Sequence, residues 1–358
     1  MLKAIVCFAE TTAPASEDIS RHTMHAQDPY STVFRSMRVR GSLLLHEHYS
    51  PPWGIDIPGS ADLAKAMGEG QGSRVVPFHI VRQGHFDLQP VAAPAQRVEA
   101  GQLAICFGGQ PHRMARDRAP RAIGFEELLA SEGANIFRPL DPCDPGATHL
   151  VCGAFVLRDT RLNPLFAALP GVLVAPFVGG DGRGDLGSLV GLLVHELEQR
   201  RDGGEFMVER LVELLCAEAI RTQQQLPDPA VGWFRGLRDP LVGRSIASIH
   251  AAPEHDWSVR SLAEEAQISP SRFAARFRET LGESPMLYLT KWRMNVASRL
   301  LDRTELGIGA VASRVGYGNL ASFSRAFKKH LGSPPATWRA DRALARNSAE
   351  QLSSMPFV

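Results

Sequence analysis

The chain has 358 residues, 44% of them hydrophobic, which is enough material for two packed domains. Its 39 Lys and Arg residues nearly balance 38 Asp and Glu residues, and its five cysteines are scattered, which argues against a disulfide framework. No apolar run is long enough to cross a membrane. We therefore expect a soluble, cytoplasmic protein.

Charge is distributed unevenly along the chain. Residues 241–346 hold 16 Lys and Arg against 9 Asp and Glu, whereas residues 1–240 hold 23 against 28. A basic C-terminal third on a mildly acidic body predicts one module that faces a polyanion and another that does not.

The N-terminal half predicts β-structure. Residues 1–30 show little periodicity and predict a poorly ordered tail. Over 31–170, short apolar runs such as Arg74–Val81 and Thr148–Leu157 are broken by Gly and Pro, a spacing that favours an antiparallel β-sandwich or barrel over βαβ units. Our prediction is an antiparallel β-barrel.

Residues 171–230 predict a helical hairpin and a linker. Leu186–Arg200 and Glu205–Leu226 carry apolar residues at helical spacing on either side of Gly203-Gly204. Their apolar stripes are wider than a small barrel would cover, so we expect a homodimer surface; the alternative is that the hairpin packs back on the barrel. With an all-α domain over 241–340 and a tail over 341–358, the chain belongs to the α+β class.

The most informative feature is a sequence repeat in the C-terminal domain. Leu262–Pro285 and Val311–Pro335 match at an offset of about 50 residues, with Phe273 and Phe277 corresponding to Phe323 and Phe327. Each unit, 258–281 and 308–331, predicts a helix, a tight turn and a second helix. The capping and turn residues are Ser258, Ser269, Pro270 and Gly282 in the first unit and Gly316, Gly318, Asn319 and Gly332 in the second.

Two helix-turn-helix units in tandem indicate DNA binding. The second helix of such a unit enters the major groove. A continuous helix over Pro285–Leu301, roughly 24 Å long at 1.5 Å per residue, would hold the two units in neighbouring groove faces. The alternative is an all-α domain without nucleic acid, but the tandem arrangement and the local positive charge favour DNA.

This region resembles the DNA-binding domain of the AraC/XylS family of bacterial transcription regulators. The most family-specific piece runs from Gly316-Tyr317 through Phe323–Lys328 to Gly332 and Pro335. The resemblance continues upstream in Gly232–Arg235, Leu237–Pro240 and Trp292–Met294, which look like a subgroup with a cupin-like N-terminal sensor. The family implies a ligand-responsive regulator that binds promoter DNA as a dimer.

Position in the two recognition helices predicts which side chains contact DNA. The expected base-contacting residues are Ser271, Arg272, Ala274 and Ala275 in the first unit and Leu320, Ala321, Ser322 and Arg325 in the second. Arg272 and Arg325 are the strongest candidates, because a guanidinium group can bond guanine O6 and N7 together. The expected phosphate contacts are Arg276, Arg278, Lys328 and Lys329; for each of these the alternative is a solvated helix face.

The N-terminal module carries a partial resemblance to cupin motifs. Gly101–His112 resembles the second motif, although Gln102 and Phe107 replace the usual acid and proline, and His79–Gly84 looks like a degenerate first motif. The motifs lack the His-x-His and carboxylate set of a cupin enzyme. We therefore expect a pocket for an organic effector, with the candidate residues Trp53, Phe78, His79, His85, Phe107 and His112.

Two further groups of residues carry side chains that can bind a metal. His46 and His48 lie two apart on a predicted strand and could join His112, but histidines beside Tyr49 and Trp53 more often line a pocket or a surface. Cys143, His149 and Cys152 could begin a zinc site, but a thiol in an apolar strand is usually a core residue. We predict neither a metal nor a cofactor.

The sequence thus predicts a sequence-specific, DNA-binding transcription regulator that is not an enzyme. Its expected partners are double-stranded promoter DNA, a small-molecule effector and a second copy of the chain, with RNA polymerase as a candidate partner and no membrane. The alternatives are a cupin-type metalloenzyme with an accessory DNA-binding domain and an architectural, nonspecific DNA binder.

Overall fold

The computed structural model describes residues 28–70, 72–91, 93–117, 121–130, 146–158, 161–178, 185–199, 201–223 and 232–353. Nearly all of the predicted N-terminal tail, together with Cys143 and the Pro227-Asp228-Pro229 linker, lies outside these residues. None of the helices in the described ranges combines the length and the apolarity that crossing a bilayer requires.

The N-terminal half is built mainly from strands. They are β1 (Arg38–Tyr49), β2 (Trp53–Ile57), β3 (Arg74–Gln83), β4 (His85–Pro90), β5 (Gln96–Glu99), β6 (Gln102–Ile105), β7 (His112–Arg116), β8 (Ile123–Gly124), β9 (Thr148–Arg158) and β10 (Leu173–Pro176). Four short helices accompany them: α1 (Pro29–Ser36), α2 (Ser60–Ala66), α3 (Phe125–Ala130) and α4 (Pro164–Ala168).

These strands form two sheets. The first has the order β1-β9-β3-β6-β10 and the second β5-β4-β7-β2-β8. The pairings are antiparallel except for that of β2 with β8, which is parallel. Because the described strands lie in two separate five-stranded sheets, a closed barrel is not confirmed.

Each face of the first sheet has its own core. Residues on the inner face, including Val75, Val81 and Cys152, pack with Trp53, Phe86 and Leu88 of the second sheet. The outer face presents the alternate residues Val76, Phe78 and Ile80 of β3 and packs them with the helical hairpin. Neighbours along a strand therefore belong to different cores.

The helical hairpin packs back on the sheet. It consists of α5 (Asp185–Gln199) and α6 (Gly204–Thr222), and buries Leu193, Val212 and Leu215. Gly41 on β1 allows the close approach, since a Cβ there would lie 2.5 Å from the Val212 Cβ atom. One side of the hairpin therefore packs back on the N-terminal strands, which is the arrangement given above as the alternative to a homodimer surface.

The C-terminal domain consists of helices. They are α7 (Trp233–Arg238), α8 (Pro240–Ala251), α9 (Val259–Glu265), α10 (Pro270–Leu281), α11 (Pro285–Arg303), α12 (Ile308–Arg314), α13 (Leu320–Leu331) and α14 (Pro335–Ser353). The pairs α9–α10 and α12–α13 are the two units predicted from the repeat, joined by α11. The segment predicted as a tail from residue 341 onward continues α14 as far as Ser353.

The helix ends explain why the units form where the repeat predicted them. Ser258 forms a capping box with Ser261, and the Asn319 side chain accepts a hydrogen bond from the Ser322 N–H at 3.0 Å. Gly282 and Gly332 end the two recognition helices at φ values of 81° and 91°.

The two turns share one left-handed residue at equivalent positions. Gly316 has φ 79°, and its counterpart in the first turn is a non-glycine residue, Gln267, with φ 58°. Gly318, the other glycine of the second turn, does not adopt a positive φ. It is instead the extra residue that makes the second turn longer.

Candidate nucleic-acid interface and interior cluster

Paired aromatic residues hold each recognition helix in place. Phe273 and Phe277 on α10, and Phe323 and Phe327 on α13, are fully buried at i, i+4 spacing, with ring centroids 5.7 Å apart in both pairs. Tyr317 packs edge-on against Phe323 at 5.6 Å. The opposite sides of both helices are thereby turned to solvent.

Most of the predicted base-contacting residues lie on these solvent sides. Ser271, Arg272, Ala275, Leu320, Ala321 and Arg325 are exposed, whereas Ala274 and Ser322 are half-buried. The Arg325 guanidinium donates a hydrogen bond from Nη2 to Ser322 Oγ at 3.1 Å, which orients it along the helix. The N-terminal turns of both helices thus present short side chains around an arginine.

The predicted phosphate contacts separate into two groups. Arg278, Lys328 and Lys329 are exposed and have no acidic partner within the described ranges. Arg276 instead forms an ion pair with Asp239, the N-cap of α8, at 2.7 Å. Burial alone would raise the pKa of Asp239, but hydrogen bonds from the Val242 N–H, Arg276 and the Leu241 N–H outweigh it and lower the pKa.

Arg293 on α11 fixes the relative position of the two units. Its guanidinium donates hydrogen bonds to the carbonyl oxygens of Pro253 and His255, at 2.7 and 2.8 Å, in the segment that precedes the first unit. The same group lies 5.7 Å from the centre of the Tyr317 ring in the second turn. Arg293 stands in a segment that resembles the family, but nothing local in the sequence predicts this role, because the contacts join segments far apart in the chain.

In the N-terminal half, three metal-ligating side chains meet between the sheets. His79 Nε2 on β3 lies 3.0 Å from His112 Nε2 at the start of β7, and Cys106 Sγ, just after β6, lies 3.7 Å from the same nitrogen. All three residues are buried. We refer to them as the His79–Cys106–His112 cluster.

Burial sets the protonation state of this cluster. Desolvation lowers the pKa of His79 well below its usual 6.5, with a further contribution from His112, and it lowers the pKa of His112 to about 4. Burial also raises the pKa of the Cys106 thiol to about 12. Both imidazoles are therefore neutral near pH 7.

The structure brings together only some of the predicted pocket residues. His79, His112 and Trp53 lie in the interior between the sheets, where His79 and Trp53 both contact Phe86. Phe78 and Phe107 belong to the core on the outer side of the first sheet, and His85 is half-buried at the start of β4. The six residues do not surround one interior space, because Phe78 and His79 are neighbours on a strand and point to opposite faces. Which of them bind an effector stays a prediction.

The other predicted histidine groups are divided between sheet faces. His46 and His48 stack against His149, with ring centroids 5.1 and 3.8 Å apart, on the side of the sheet opposite to His112. His149 and Cys152 also lie on opposite faces, and Cys152 is a buried core residue. Desolvation, His48, His46 and Arg82 lower the pKa of His149 to about 3.

A cavity of about 330 Å³ adjoins the cluster. Cys106 and His112 form part of its wall, together with Pro90, Gln96, Gln110 and Val172. Cys106 belongs to the cupin-like motif but is not among the predicted pocket residues. Its spacing of six residues from His112 was visible, but its proximity to His79 depends on how the strands pair.

Two family models match the chain. A model described as cupin covers residues 28–225, and one described as a helix-turn-helix domain covers residues 262–341. An AraC-like transcription regulator of Streptomyces lividans is 36% identical over 74% of this chain and 87% of its own length. The chain belongs to the AraC-like family of transcription regulators.

Other relatives agree with this assignment. The HTH-type transcriptional regulator AlkR of Acinetobacter baylyi is 31% identical over 73% of this chain and 86% of its own length. Among solved structures, the DNA-binding domain of AdpA in complex with a target DNA is 32% identical and covers 30% of this chain and 97% of that one, with a TM-score of 0.29. The helix-turn-helix family model and these two curated relatives confirm the prediction of a transcription regulator with a helix-turn-helix DNA-binding domain.

Proposed function

We propose that this AraC-like regulator reads promoter DNA with the N-terminal turns of both α10 and α13. The supporting observation is that each helix is capped, packed through a buried Phe pair and turned so that an arginine and short side chains face solvent. A bidentate arginine–guanine contact is worth about 1–3 kcal/mol of base discrimination. Arg272 and Arg325 carry that readout, and the small neighbours let them approach the base edges.

The phosphate contacts come from Arg278, Lys328 and Lys329. These cations lie one to two turns beyond the base-reading residues on the same two helices, and they are free of acidic partners among the described residues. We leave Arg276 out of this set, because its ion pair with Asp239 holds it against α8. Lysine and arginine side chains that contact phosphates orient the protein on DNA but do not read its sequence.

Fluorescence anisotropy with the protein's own upstream promoter region tests this function. The titration is made at two salt concentrations, with unrelated DNA as competitor. We expect tight binding that survives the competitor and weakens steeply with salt, since each phosphate contact releases counterions. Binding that unrelated DNA abolishes would indicate an architectural binder instead.

A small organic effector is the second part of the proposal, with the cavity beside Cys106 and His112 as its site. The cavity volume of about 330 Å³ is in the range of small-molecule pockets. Contacts run from the N-terminal half to the DNA-binding domain, including a hydrogen bond from Arg161 Nη1 to the Leu331 carbonyl oxygen at the end of α13, at 3.3 Å. An effector would shift the population of DNA-competent arrangements through these contacts.

An effector screen by thermal unfolding tests this step. A ligand that binds the folded state raises the midpoint temperature with concentration. Val172→Trp, which fills the cavity wall, should abolish the rise, while Val91→Trp, at a position 76% exposed, should not. A hit that changes DNA affinity supports the proposal, and an unchanged DNA affinity across all hits contradicts it.

The third part is a homodimer formed by the hairpin. Although one side of α5–α6 packs on the sheet, Leu192, Phe206, Met207 and Leu214 remain 45–64% exposed on the other. Phe206 and Met207 lie eight and seven positions before Leu214 on α6 and so share one face with it, and grouped exposed apolar side chains mark interaction surfaces. A second copy of the chain would cover them isologously.

Sedimentation analysis of Leu214→Glu measures the contribution of this surface. We expect the wild type to be a dimer at micromolar concentration and the variant to be a monomer, with Val91→Glu unchanged. A monomeric wild type, or a dimeric Leu214→Glu variant, contradicts the proposed interface.

RNA polymerase is the expected partner once the dimer is bound at a promoter. In vitro transcription with purified polymerase measures this directly. We expect transcript yield to change only on templates that carry the bound site, and the change to be absent when Arg325→Ala replaces the wild type.

A further inference from the structure

Two of the three distances between ligand atoms in the His79–Cys106–His112 cluster are close to those of a tetrahedral metal site. Zinc binds nitrogen at about 2.0–2.1 Å and sulfur at about 2.3 Å, so two nitrogen ligands lie about 3.3 Å apart and a nitrogen and a sulfur about 3.6 Å apart. The observed distances are 3.0 Å between the two Nε2 atoms and 3.7 Å between Cys106 Sγ and His112 Nε2. All three ligand atoms lie within 4.8 Å of one another.

The surroundings of His112 orient its lone pair toward the centre of the cluster. His112 Nδ1 lies 3.4 Å from the Gln110 carbonyl oxygen, which can only accept, so Nδ1 carries the proton and Nε2 is left free to act as an acceptor or ligand. A backbone carbonyl behind a ligating histidine is the usual outer-shell partner in metal sites. Otherwise, the pairing of β3 and β7 with their neighbouring strands orients the two histidines.

Hydrogen bonding within the protein leaves the cluster incompletely satisfied. A single proton can join the two Nε2 atoms, with His79 Nε2 as the donor and His112 Nε2 as the acceptor, and Cys106 Sγ makes only a long contact of 3.7 Å with the same His112 nitrogen. A metal ion bound by the two Nε2 atoms and the Cys106 sulfur would replace the hydrogen bond between the imidazoles with three coordination bonds.

The donor set selects the kind of ion. Two imidazoles and a thiol suit zinc and other borderline-soft transition metals, whereas calcium and magnesium need oxygen ligands, which the cluster does not contain. Because Cys106 and His112 also line the cavity of about 330 Å³, the fourth position would open toward it. Three protein ligands with one open position are typical of zinc sites that bind a further ligand.

We propose that His79, Cys106 and His112 form a three-ligand site for a borderline-soft divalent metal such as Zn²⁺, with its fourth coordination position facing the cavity. This differs from the cupin arrangement weighed from sequence, which needed a His-x-His pair and a carboxylate. It also uses neither His46 nor His48. The site does not depend on the DNA contacts proposed above.

Cobalt substitution tests the site in the full-length protein. The protein is stripped with a chelator, dialysed and titrated with Co²⁺, which reports tetrahedral geometry through visible d–d bands and thiolate ligation through a near-ultraviolet charge-transfer band. We expect both signals to saturate at one equivalent and to disappear on addition of Zn²⁺. A wild-type protein that shows neither signal overturns the proposal without any variant.

Substitutions then assign the ligands. Cys106→Ser should abolish the charge-transfer band, and His112→Gln should weaken binding by at least about tenfold. Cys216→Ser, which removes another fully buried thiol on α6, is the matched control and should leave the titration unchanged. Circular dichroism checks that each variant is folded. A charge-transfer band that persists in Cys106→Ser and is lost in Cys216→Ser would place the metal elsewhere and overturn the assignment.

Discussion

Arg38 on β1 and Asp302 near the end of α11 form an ion pair at 2.8 Å between the N-terminal half and the DNA-binding domain. The Asp302 side chain is only 4% exposed, whereas that of Arg38 is 33% exposed. A buried carboxylate depends on its partner more than an accessible guanidinium does. This pair therefore connects the first sheet to the helix that joins the two helix-turn-helix units.

Arg38→Ala should destabilise the protein because it leaves the Asp302 carboxylate buried with less compensation. We expect the free energy of unfolding to fall by about 1–3 kcal/mol, measured by urea denaturation. The matched control is Arg97→Ala, which breaks the exposed pair with Asp87 and should lower the free energy of unfolding by clearly less, because both partners are solvated. Equal losses for the two variants would show that the Arg38–Asp302 pair is energetically an ordinary surface contact.

Arg325→Ala and Lys328→Ala should affect DNA binding in different ways. Loss of Arg325 should cost about 1–3 kcal/mol at the cognate site and relax one base position. Loss of Lys328 should weaken binding to all DNAs alike and reduce the slope of log affinity against log salt by about one. Anisotropy titrations on a set of single-base variants measure both effects, and identical behaviour of the two variants would contradict the assignment of Arg325 as a base reader.

Gly316→Ala should disrupt the second turn for two independent reasons. The residue has φ 79°, and an added Cβ would lie 2.6 Å from Arg293 Nη2 and 2.7 Å from the Glu254 carbonyl oxygen. We expect a loss of about 2 kcal/mol or more in stability. Gly318→Ala, in the same turn but with a negative φ and open space around it, should change stability by less than about 0.5 kcal/mol. A tolerated Gly316→Ala would mean that the turn can be repacked around Arg293.

His250 should make stability fall in mild acid. Its ring stacks on Trp292 at 3.9 Å, its Nε2 lies 2.8 Å from the Tyr288 hydroxyl, and burial lowers its pKa to about 3. The unfolded chain has an ordinary histidine pKa of about 6.5, so below that pH the unfolded state binds a proton that the folded state does not. The contribution of His250 is therefore undiminished above about pH 6.5 and falls by about 1.4 kcal/mol per pH unit as the pH drops toward 3.

Urea denaturation between pH 7 and pH 4 measures this dependence. His250→Phe keeps an aromatic ring against Trp292 and removes the titrating group, so the slope of stability against pH should become flatter by close to one proton. A slope that is the same in wild type and His250→Phe would show that other groups cause the acid sensitivity.

The DNA-binding domain was predictable because its signals are local. Caps such as Ser258 and Asn319, the Phe pairs at i, i+4 and the terminating Gly282 and Gly332 all act within a few residues of their own position, so their spacing in the chain is also their spacing in space. The exception is Gln267, whose left-handed conformation carries no residue-type signal. The repeat aligns Gln267 with Gly316, but only the structure shows that both residues are left-handed.

The interior of the N-terminal half was much less predictable. Alternation along β3 could have separated Phe78 from His79 if the strand had been assigned with its faces, yet nothing local could show that Cys106 and His112 would meet His79 across two sheets. Strand order is decided by which apolar faces can be buried together. That depends on the whole chain rather than on any one segment.

The sequence by itself determined the two-part organisation, the tandem helix-turn-helix units and the side chains that their recognition helices expose, because helix caps and helical periodicity are short-range properties. The tertiary structure alone decided that Arg276 pairs with Asp239, that the hairpin covers one face of the first sheet, and that two histidines and a cysteine converge beside a cavity. Each of these contacts joins residues that lie at least 30 positions apart or on different elements, where pairing is set by the packing of complementary surfaces.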